Sequence, residues 1–375
     1  MARLGDICTI VSGSTPKSNV SEYWDGDVKW ITPAELSEES YIINDTVRHI
    51  TELGVAKTGL KPFPKGTVIL SSRAPIGKTA IAGCEMYCNQ GFKNLICSEK
   101  INPRYLYWFL TCNTEYLNSL GRGATFKEIS KEIVGNIEIP LPKKEEQIAI
   151  AEKFEKLNDL ISLRKQQLAR LDELIKARFV EMFIGKGYPT KTVDEVSLGK
   201  GEYGAQSASV EYEPTRPRYV RITDINDDGT LNNDVVASIN PADDEQYKLE
   251  YGDFMFARMG ATVGKTYAFI EGNQIFAGYL IRYRLNQKLI NPRYLFWYTR
   301  LDEYWNWVKL NQSGAAQPGI NAKKYGSLQI PLPPIEKQNG FAAFVEQTDK
   351  SKLAVQQSLD KLETLKKALM QRFFG

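Results

Sequence analysis

Residues 143–185 read KKEEQIAIAEKFEKLNDLISLRKQQLARLDELIKARFVEMFIG, with no proline or glycine before the end. Leu, Ile, Ala, Lys, Glu, Arg and Gln dominate, all good or fair helix formers. Apolar side chains recur near a 3-4 spacing at Phe154, Leu157, Ile161, Leu168, Leu171, Ile175 and Met182, with Arg164 and Arg178 interrupting. So narrow a stripe describes a helix seam, not the face of a globular core. A second such stretch runs from Glu336 to Phe374. Val345, Val355, Leu359, Leu362, Leu369 and Phe373 keep heptad register there, and Lys352 and Lys366 are its polar interruptions. Two long helices therefore frame the chain.

Self-comparison shows what they frame. INPRYLYW at 101–108 recurs as INPRYLFW at 290–297, and GTVILSSRAPIGKTAI at 66–81 echoes GDFMFARMGATVGKTYAF at 252–269. VGNIEIPLP at 134–142 recurs as YGSLQIPLP at 325–333, each running straight into a long helix. The offset stays near about 190 residues, the mark of an internal duplication. Each copy reads as α+β, a mixed α/β globular domain with strands expected at 67–70, 78–82 and 93–97, and at 217–222, 253–257, 265–270 and 279–285. Asn102-Pro103 and Asn291-Pro292 are expected helix starts, Asn as N-cap and Pro at the first helical position. The aromatic residues that follow, Tyr105, Trp108 and Phe109, and Tyr294, Trp297 and Tyr298, have the spacing of core residues. The copies diverge most in 11–65 and 199–250.

The expected domains are 1–142 and 186–333, each followed by a spacer helix, 143–185 and 334–375. A helix of ~39 residues is about 58 Å long. A unit with a radius of gyration of roughly 15 Å cannot bridge that length, so the helices are expected to pair antiparallel in a pseudo-two-fold frame. At roughly 3.4 Å per base pair such a rod measures at most about 17 base pairs.

Composition narrows the function classes. The 375 residues are 42% hydrophobic and 25% charged with a net charge of +3, an ordinary soluble composition. Nothing resembles a signal peptide or a bilayer span, so the cytoplasm is expected and no membrane partner. Mild basicity permits nucleic-acid binding without demanding it. The five cysteines, Cys8, Cys84, Cys88, Cys97 and Cys112, offer no paired metal-ligand spacing, and His49 is the sole histidine. Free thiols are expected, no metal, and no chemistry built on a histidine pair.

Three motif-like stretches lack the context their chemistry needs. Gly260 to Thr266 resembles a phosphate-binding loop but has three residues between its glycines where four are required. Phe183-Ile184-Gly185-Lys186-Gly187 follows a helix, whereas a cofactor-cradling glycine loop follows a strand, so a glycine helix stop is expected. Both Asn-Pro pairs are followed by arginine, so no Asn-Pro-Pro-aromatic catalytic motif exists. No catalytic residue is expected.

These features together resemble the specificity subunits of type I restriction-modification systems. The resemblance rests on SGSTPKSN…YWDGDVKWITPAEL, the SSRAPIGKT and ARMGATVGKT hairpins, Asn89-Gln90-Gly91-Phe92-Lys93, Gly123-Ala124-Thr125, and IPLP leading into Glu146-Gln147 or Lys337-Gln338. It covers nearly the whole chain. It implies two target recognition domains separated by an antiparallel coiled coil, each reading one half of a bipartite double-stranded DNA site. It also implies two modification subunits that carry S-adenosylmethionine and methylate adenine, with restriction subunits that hydrolyse ATP as further partners; no cofactor is implied in this chain. Unit two has Ile275-Phe276-Ala277-Gly278-Tyr279 where unit one has the Asn-Gln-Gly motif, so that motif's role does not transfer and the half-sites are expected to differ.

Arginine usually reads guanine, Asn or Gln adenine, while Lys finds phosphate. The DNA-contact candidates on these grounds are Ser14, Thr15, Lys17, Ser72, Arg73, Lys78, Asn89, Gln90 and Lys93 in the first copy. In the second they are Arg216, Arg218, Arg221, Arg258, Lys265 and Tyr279. Arg73 and Arg258 lead because they occur on matching hairpins. The competing readings are a scaffold with two protein-binding heads and a methyltransferase with degenerate motifs.

Overall fold

The computed structural model describes residues 1–37, 39–73, 75–123, 127–239, 245–314 and 318–375. Ala74, Ala124 and Thr125 of the motifs above lie outside the described residues. The chain divides into two compact units, residues 1–165 with 357–375, and residues 166–356.

The two larger sheets of unit 1 are built from β1 (Cys8–Val11), β2 (Trp24–Ile31), β3 (Ile42–Ile43), β4 (His49–Ile50), β5 (Val68–Leu70), β6 (Thr79–Ala82), β7 (Tyr87–Cys88) and β8 (Asn94–Cys97). One sheet has the order β1-β8-β5-β6-β3, a second β4-β2-β7. The three expected strands are β5, β6 and β8. Behind the larger sheet lies α1 (Pro103–Cys112), whose N-cap Asn102 accepts the amides of Arg104 and Tyr105 at 2.9 and 3.3 Å. Tyr105, Trp108 and Phe109 are buried core residues.

A buried glutamine locks this helix to the long one, α2 (Lys144–Phe183). Gln147 is 1% exposed. Its Oε1 accepts the Asn102 amide at 2.8 Å, and its Nε2 donates to the carbonyls of Lys100 and Pro142 at 3.0 and 2.9 Å. The Tyr105 hydroxyl donates to Pro140 O at 2.8 Å. The INPRY, IPLP and Glu-Gln landmarks thus form one joint.

Unit 2 repeats the plan. Its two larger sheets use β9 (Glu202–Tyr203), β10 (Ser209–Glu211), β11 (Arg218–Val220), β12 (Ala237–Ile239), β13 (Asp253–Ala257), β14 (Thr266–Ala268), β15 (Gln274–Phe276) and β16 (Leu280–Arg284), in the orders β9-β16-β13-β14 and β10-β12-β11-β15. The second helix pair is α3 (Pro292–Tyr298) and α4 (Ile335–Phe374). Gln338 forms the same joint, accepting the Asn291 amide at 2.9 Å and donating to Leu289 O and Pro333 O at 3.1 and 2.8 Å.

The duplication also extends through segments whose letters have diverged. β2 pairs parallel with β7 (Trp30↔Tyr87, Ile31↔Cys88) as β11 does with β15 (Tyr219↔Ile275, Val220↔Phe276). Each strand then enters a short turn closed by an acid. The Thr32 amide donates to Glu35 at 2.8 Å and the Arg221 amide to Asp224 at 2.9 Å. A difference lies at the sheet edge: β6 carries β3 as a parallel partner, while β14 ends its sheet.

Within each unit the long helices run antiparallel. In unit 1, Phe154 stacks on Phe374 at 5.6 Å, Asn158 meets Lys366 at 3.1 Å, and Lys165 meets Glu363 at 3.8 Å. In unit 2, Asp172 pairs with Lys352 at 2.5 Å and Phe179 packs on Phe341 at 5.2 Å. Of the seam positions, Phe154, Leu157, Ile161, Ile175, Val355 and Leu359 are buried, and Leu168, Leu171, Leu362 and Leu369 half-buried. Polar interruptions find partners: Arg164 Nε donates to Ser358 at 3.2 Å, while Arg178 pairs with Glu181 on its own helix at 2.7 Å. α2 stops ahead of Gly185 and Gly187, whose φ values are +71° and +67°, the left-handed conformation of a helix stop.

Candidate nucleic-acid interface

In unit 1 the SGST segment must cross closely over β7. A Cβ on Gly13 would lie 1.9 Å from Cys88 O, so only glycine fits. The Ser14 amide then donates to Cys88 O at 3.1 Å, and the Trp30 indole to Ser14 O at 3.1 Å. The next residue, Thr15, places its hydroxyl on the Gln90 side chain. Asn89 Oδ1 accepts the Gly91 amide at 2.9 Å, bending the chain so that Gly91 O takes the Ser72 amide at 2.7 Å. Lys93, 7% exposed, donates to Ser72 Oγ at 3.3 Å and to Glu128 at 3.0 Å. Arg73 is half-buried and bridges to Glu128 through the backbone. Ser14, Thr15, Arg73, Asn89 and Gln90 are thereby brought together, with Ser72 and Lys93 buried beneath them.

Lys17 and Lys78 stand differently. Lys17 is exposed and offers its carbonyl to the Trp24 indole at 3.2 Å. Lys78 donates to Leu36 O at 2.5 Å, tying the hairpin to the turn after β2.

Unit 2 builds the same frame with other side chains. A Cβ on Gly204 would lie 2.4 Å from Ala277 O. The Ala205 amide donates to Phe276 O at 3.0 Å and the Gly278 amide to Ala205 O at 2.7 Å. The Arg258 amide donates to Tyr279 O at 3.0 Å, as Ser72 does to Gly91. Ile129 donates to Ser72 O and Ile320 to Arg258 O, both at 3.0 Å. Arg73 and Arg258 thus lie on matching hairpins, but the register makes Ser72 the counterpart of Arg258 and sets Arg73 one residue beyond it.

The Arg258 guanidinium sits 4.8 Å from the Tyr203 ring centroid and 5.8 Å from that of Tyr279. Its Nε is buried with no hydrogen-bond partner, while Tyr279 is 54% exposed. Two aromatic faces desolvate and orient the cation, leaving a planar fork of donors suited to a phosphate or to the O6/N7 edge of guanine.

The remaining unit 2 candidates are engaged with neighbours. Arg221 pairs with Asp224 at 2.8 Å and donates to Val235 O at 2.9 Å. Arg218 donates to Asn233 at 2.6 Å, and Arg216 pairs with Glu213 at 2.9 Å. Lys265 pairs with Asp227 at 2.8 Å and donates to Ile225 O at 3.2 Å, the counterpart of the Lys78 tie. These four hold β11 and its flanks.

Tyr203 escaped the sequence reading. Its signal was Gly204-Ala205 standing against Gly13-Ser14, two residues too few for self-comparison to register. Among the described residues no group of three or more His, Cys, Asp or Glu side chains could hold a metal ion, and no helix is long and apolar enough to cross a membrane. All five cysteines are free, buried or half-buried.

Comparison with known proteins places this frame. The model of the type I restriction modification DNA specificity domain matches residues 1–173 and again 196–364. The MjaIX specificity subunit of Methanocaldococcus jannaschii is 34% identical over 243 residues, covering 59% of this chain and 56% of that protein. The chain therefore spans little more than half the length of that relative. The EcoKI specificity subunit of Escherichia coli K12 is 22% identical over 415 residues, covering 100% of this chain and 88% of that one. Among solved structures, the type I system S subunit from M. genitalium superimposes with a TM-score of 0.60 at 14% identity, covering 100% of this chain and 95% of that one. A chain from a structure of type I R-M complex assembly gives 0.64 at 20% identity, covering 100% and 96%.

Proposed function

We infer, from the premise that the chain belongs to the type I restriction-modification DNA specificity family, that it reads an asymmetric bipartite DNA site, one half per unit. It does so without catalysis of its own. It directs modification subunits that bring S-adenosylmethionine, and restriction subunits that bring ATP, to that site in the cytoplasm. Residues 1–142 and 186–333 act as the recognition domains and 143–185 and 334–375 as the spacer helices.

One observation carries this reading: the same turn-and-hairpin frame is built twice and dressed with different polar side chains. Unit 1 offers Ser14, Thr15, Arg73, Asn89 and Gln90, with Ser72 and Lys93 buried beneath them. Unit 2 offers Arg258 caged between Tyr203 and Tyr279. A common frame with unlike surfaces supports a target of two unlike halves. The deeply engaged Lys78, Lys265 and Arg221 act mainly by holding the reading surfaces in shape.

The test is base selection by the chain assembled with its modification subunits. Arg258→Ala is expected to lose about 1–3 kcal/mol of discrimination, roughly 5- to 150-fold, at one position of one half-site. Arg73→Ala is expected to relax the other half-site alone. Uniform weakening on every DNA sequence would assign these arginines to phosphate or to folding.

A further inference from the structure

The two units part company at one sheet edge. In unit 1 the chain lays Tyr41–Ile43 parallel on β6. The Ile81 amide donates to Tyr41 O and the Gly83 amide to Ile43 O, both at 2.7 Å. The Tyr41 ring packs edge-on against Tyr107 at 4.8 Å and lies 6.1 Å from that of Trp108. Its hydroxyl donates to Glu155 Oε1, while Glu155 Oε2 holds Arg104 at 2.9 Å.

Among the described residues unit 2 has no such strand. After the turn that follows β11 the chain folds tightly back, the Gly229 amide donating to Asn226 O at 3.0 Å, and later joins the other sheet as β12. The edge of β14 faces a groove of about 570 Å³ lined by Tyr267, Ala268, Ile270, Phe296, Trp297 and Asp349, among others. Ladder alternation sets which amides face it. Phe269 donates to Asp253 O at 2.9 Å and Ala257 to Lys265 O at 2.8 Å, so odd-numbered groups point into the sheet. The amides of Ala268 and Ile270 point out, as those of Ile81 and Gly83 do in unit 1. Phe296 and Trp297 occupy the places of Tyr107 and Trp108. Asp349, three residues beyond the Glu346 that matches Glu155 in the glutamine register, holds Arg293 with its Oδ2 at 3.1 Å, the role Glu155 plays for Arg104.

We propose that this groove is a strand-addition site for an extended peptide of a partner protein bearing a tyrosine. The peptide lies parallel to β14, its carbonyls accepting the Ala268 and Ile270 amides. Its aromatic ring lies against Trp297, beside a Phe296 ring whose face the Arg300 guanidinium already holds at 3.9 Å, and its hydroxyl donates to Asp349. The backbone bonds supply affinity and the ring pocket supplies selectivity. Unit 1 displays the occupant: its own Ser40-Tyr41-Ile42-Ile43 fills the equivalent edge. Ile270 stands where unit 1 has Gly83, whose missing side chain makes room for Asn44, so the added strand is short. This inference is independent of the DNA reading.

The probe is a labelled peptide copying residues 39–44, titrated against the full chain by fluorescence polarisation, with amide hydrogen exchange followed in parallel. Saturable one-to-one binding is expected, with slowed exchange at Ala268 and Ile270. A peptide carrying Tyr41→Ala should bind at least about tenfold more weakly. Trp297→Ala risks the fold, so Asp349→Asn in the chain serves as the protein variant, expected to weaken the tyrosine peptide but not the alanine one. Absent saturable binding, equal affinity for both peptides, or protection arising elsewhere would overturn the proposal. So would a single-stranded oligonucleotide that protects the same two amides while the peptide does not.

Discussion

Replacing Gln338 by leucine keeps side-chain volume nearly constant and removes three buried hydrogen bonds, at 2.9, 3.1 and 2.8 Å. Each such bond contributes a net 0.5–1.5 kcal/mol, so the loss is about 3 kcal/mol, more if the orphaned amide and carbonyls stay dry. An isosteric leucine leaves little cavity to add to that figure. Gln147→Leu removes the matching three bonds at 2.8, 3.0 and 2.9 Å in unit 1. Amide hydrogen exchange by mass spectrometry reads the effect locally: a loss of ~3 kcal/mol speeds protected amides roughly a hundredfold. Gln338→Leu should do so around α3 and β13, and Gln147→Leu around α1 and β5. Acceleration below about threefold, or equal acceleration in both units from either variant, would refute the reasoning that these glutamines lock their own unit's helices together.

Two further outcomes follow from close packing and burial. Gly13→Ala and Gly204→Ala drive a Cβ to within 1.9 and 2.4 Å of a backbone oxygen, which should cost about 1–3 kcal/mol. Base selection should degrade at one half-site for each, and an unchanged site preference would contradict the crossing as the frame of the reading surface. Burial pushes the Cys88 and Cys112 thiols up to about 12. A raised thiol pKa means less thiolate, so alkylation at pH 8 should run roughly a thousandfold slower than for an ordinary thiol. Peptide mapping after iodoacetamide should find buried Cys88 labelled only once the chain is unfolded and half-buried Cys112 labelled slowly, and rapid labelling of either in the native protein would contradict the raised pKa.

Much of the fold was legible because long-range order left local marks. The proline-free 143–185 run, the repeated INPRY and IPLP landmarks, and Gly185 as a stop name the helices, the duplication and a boundary. The heptad reading missed the aromatic ends of the helices, since Phe179, Phe183 and Phe374 pack against globular residues such as Tyr294 and Tyr105 as well as across the helix pair. The equivalence of Trp30 with Tyr219 was hidden because strand pairing depends on register and burial, which unlike letters can satisfy. Site residues were legible only by type. Sequence cannot tell that Lys78 and Lys265 spend their charge on a backbone carbonyl, or that Arg258 meets Tyr203 from a strand about 55 residues away in the chain.

In the proposed reading, two unlike surfaces on one duplicated frame define one asymmetric DNA site. Genome-wide mapping of methylated adenines, in a host carrying the modification subunits with and without this chain, tests it most directly. The expected result is a bipartite motif with two different halves around an unread spacer, present only with the chain. A symmetric or undivided motif, or methylation unchanged by removing the chain, would contradict it.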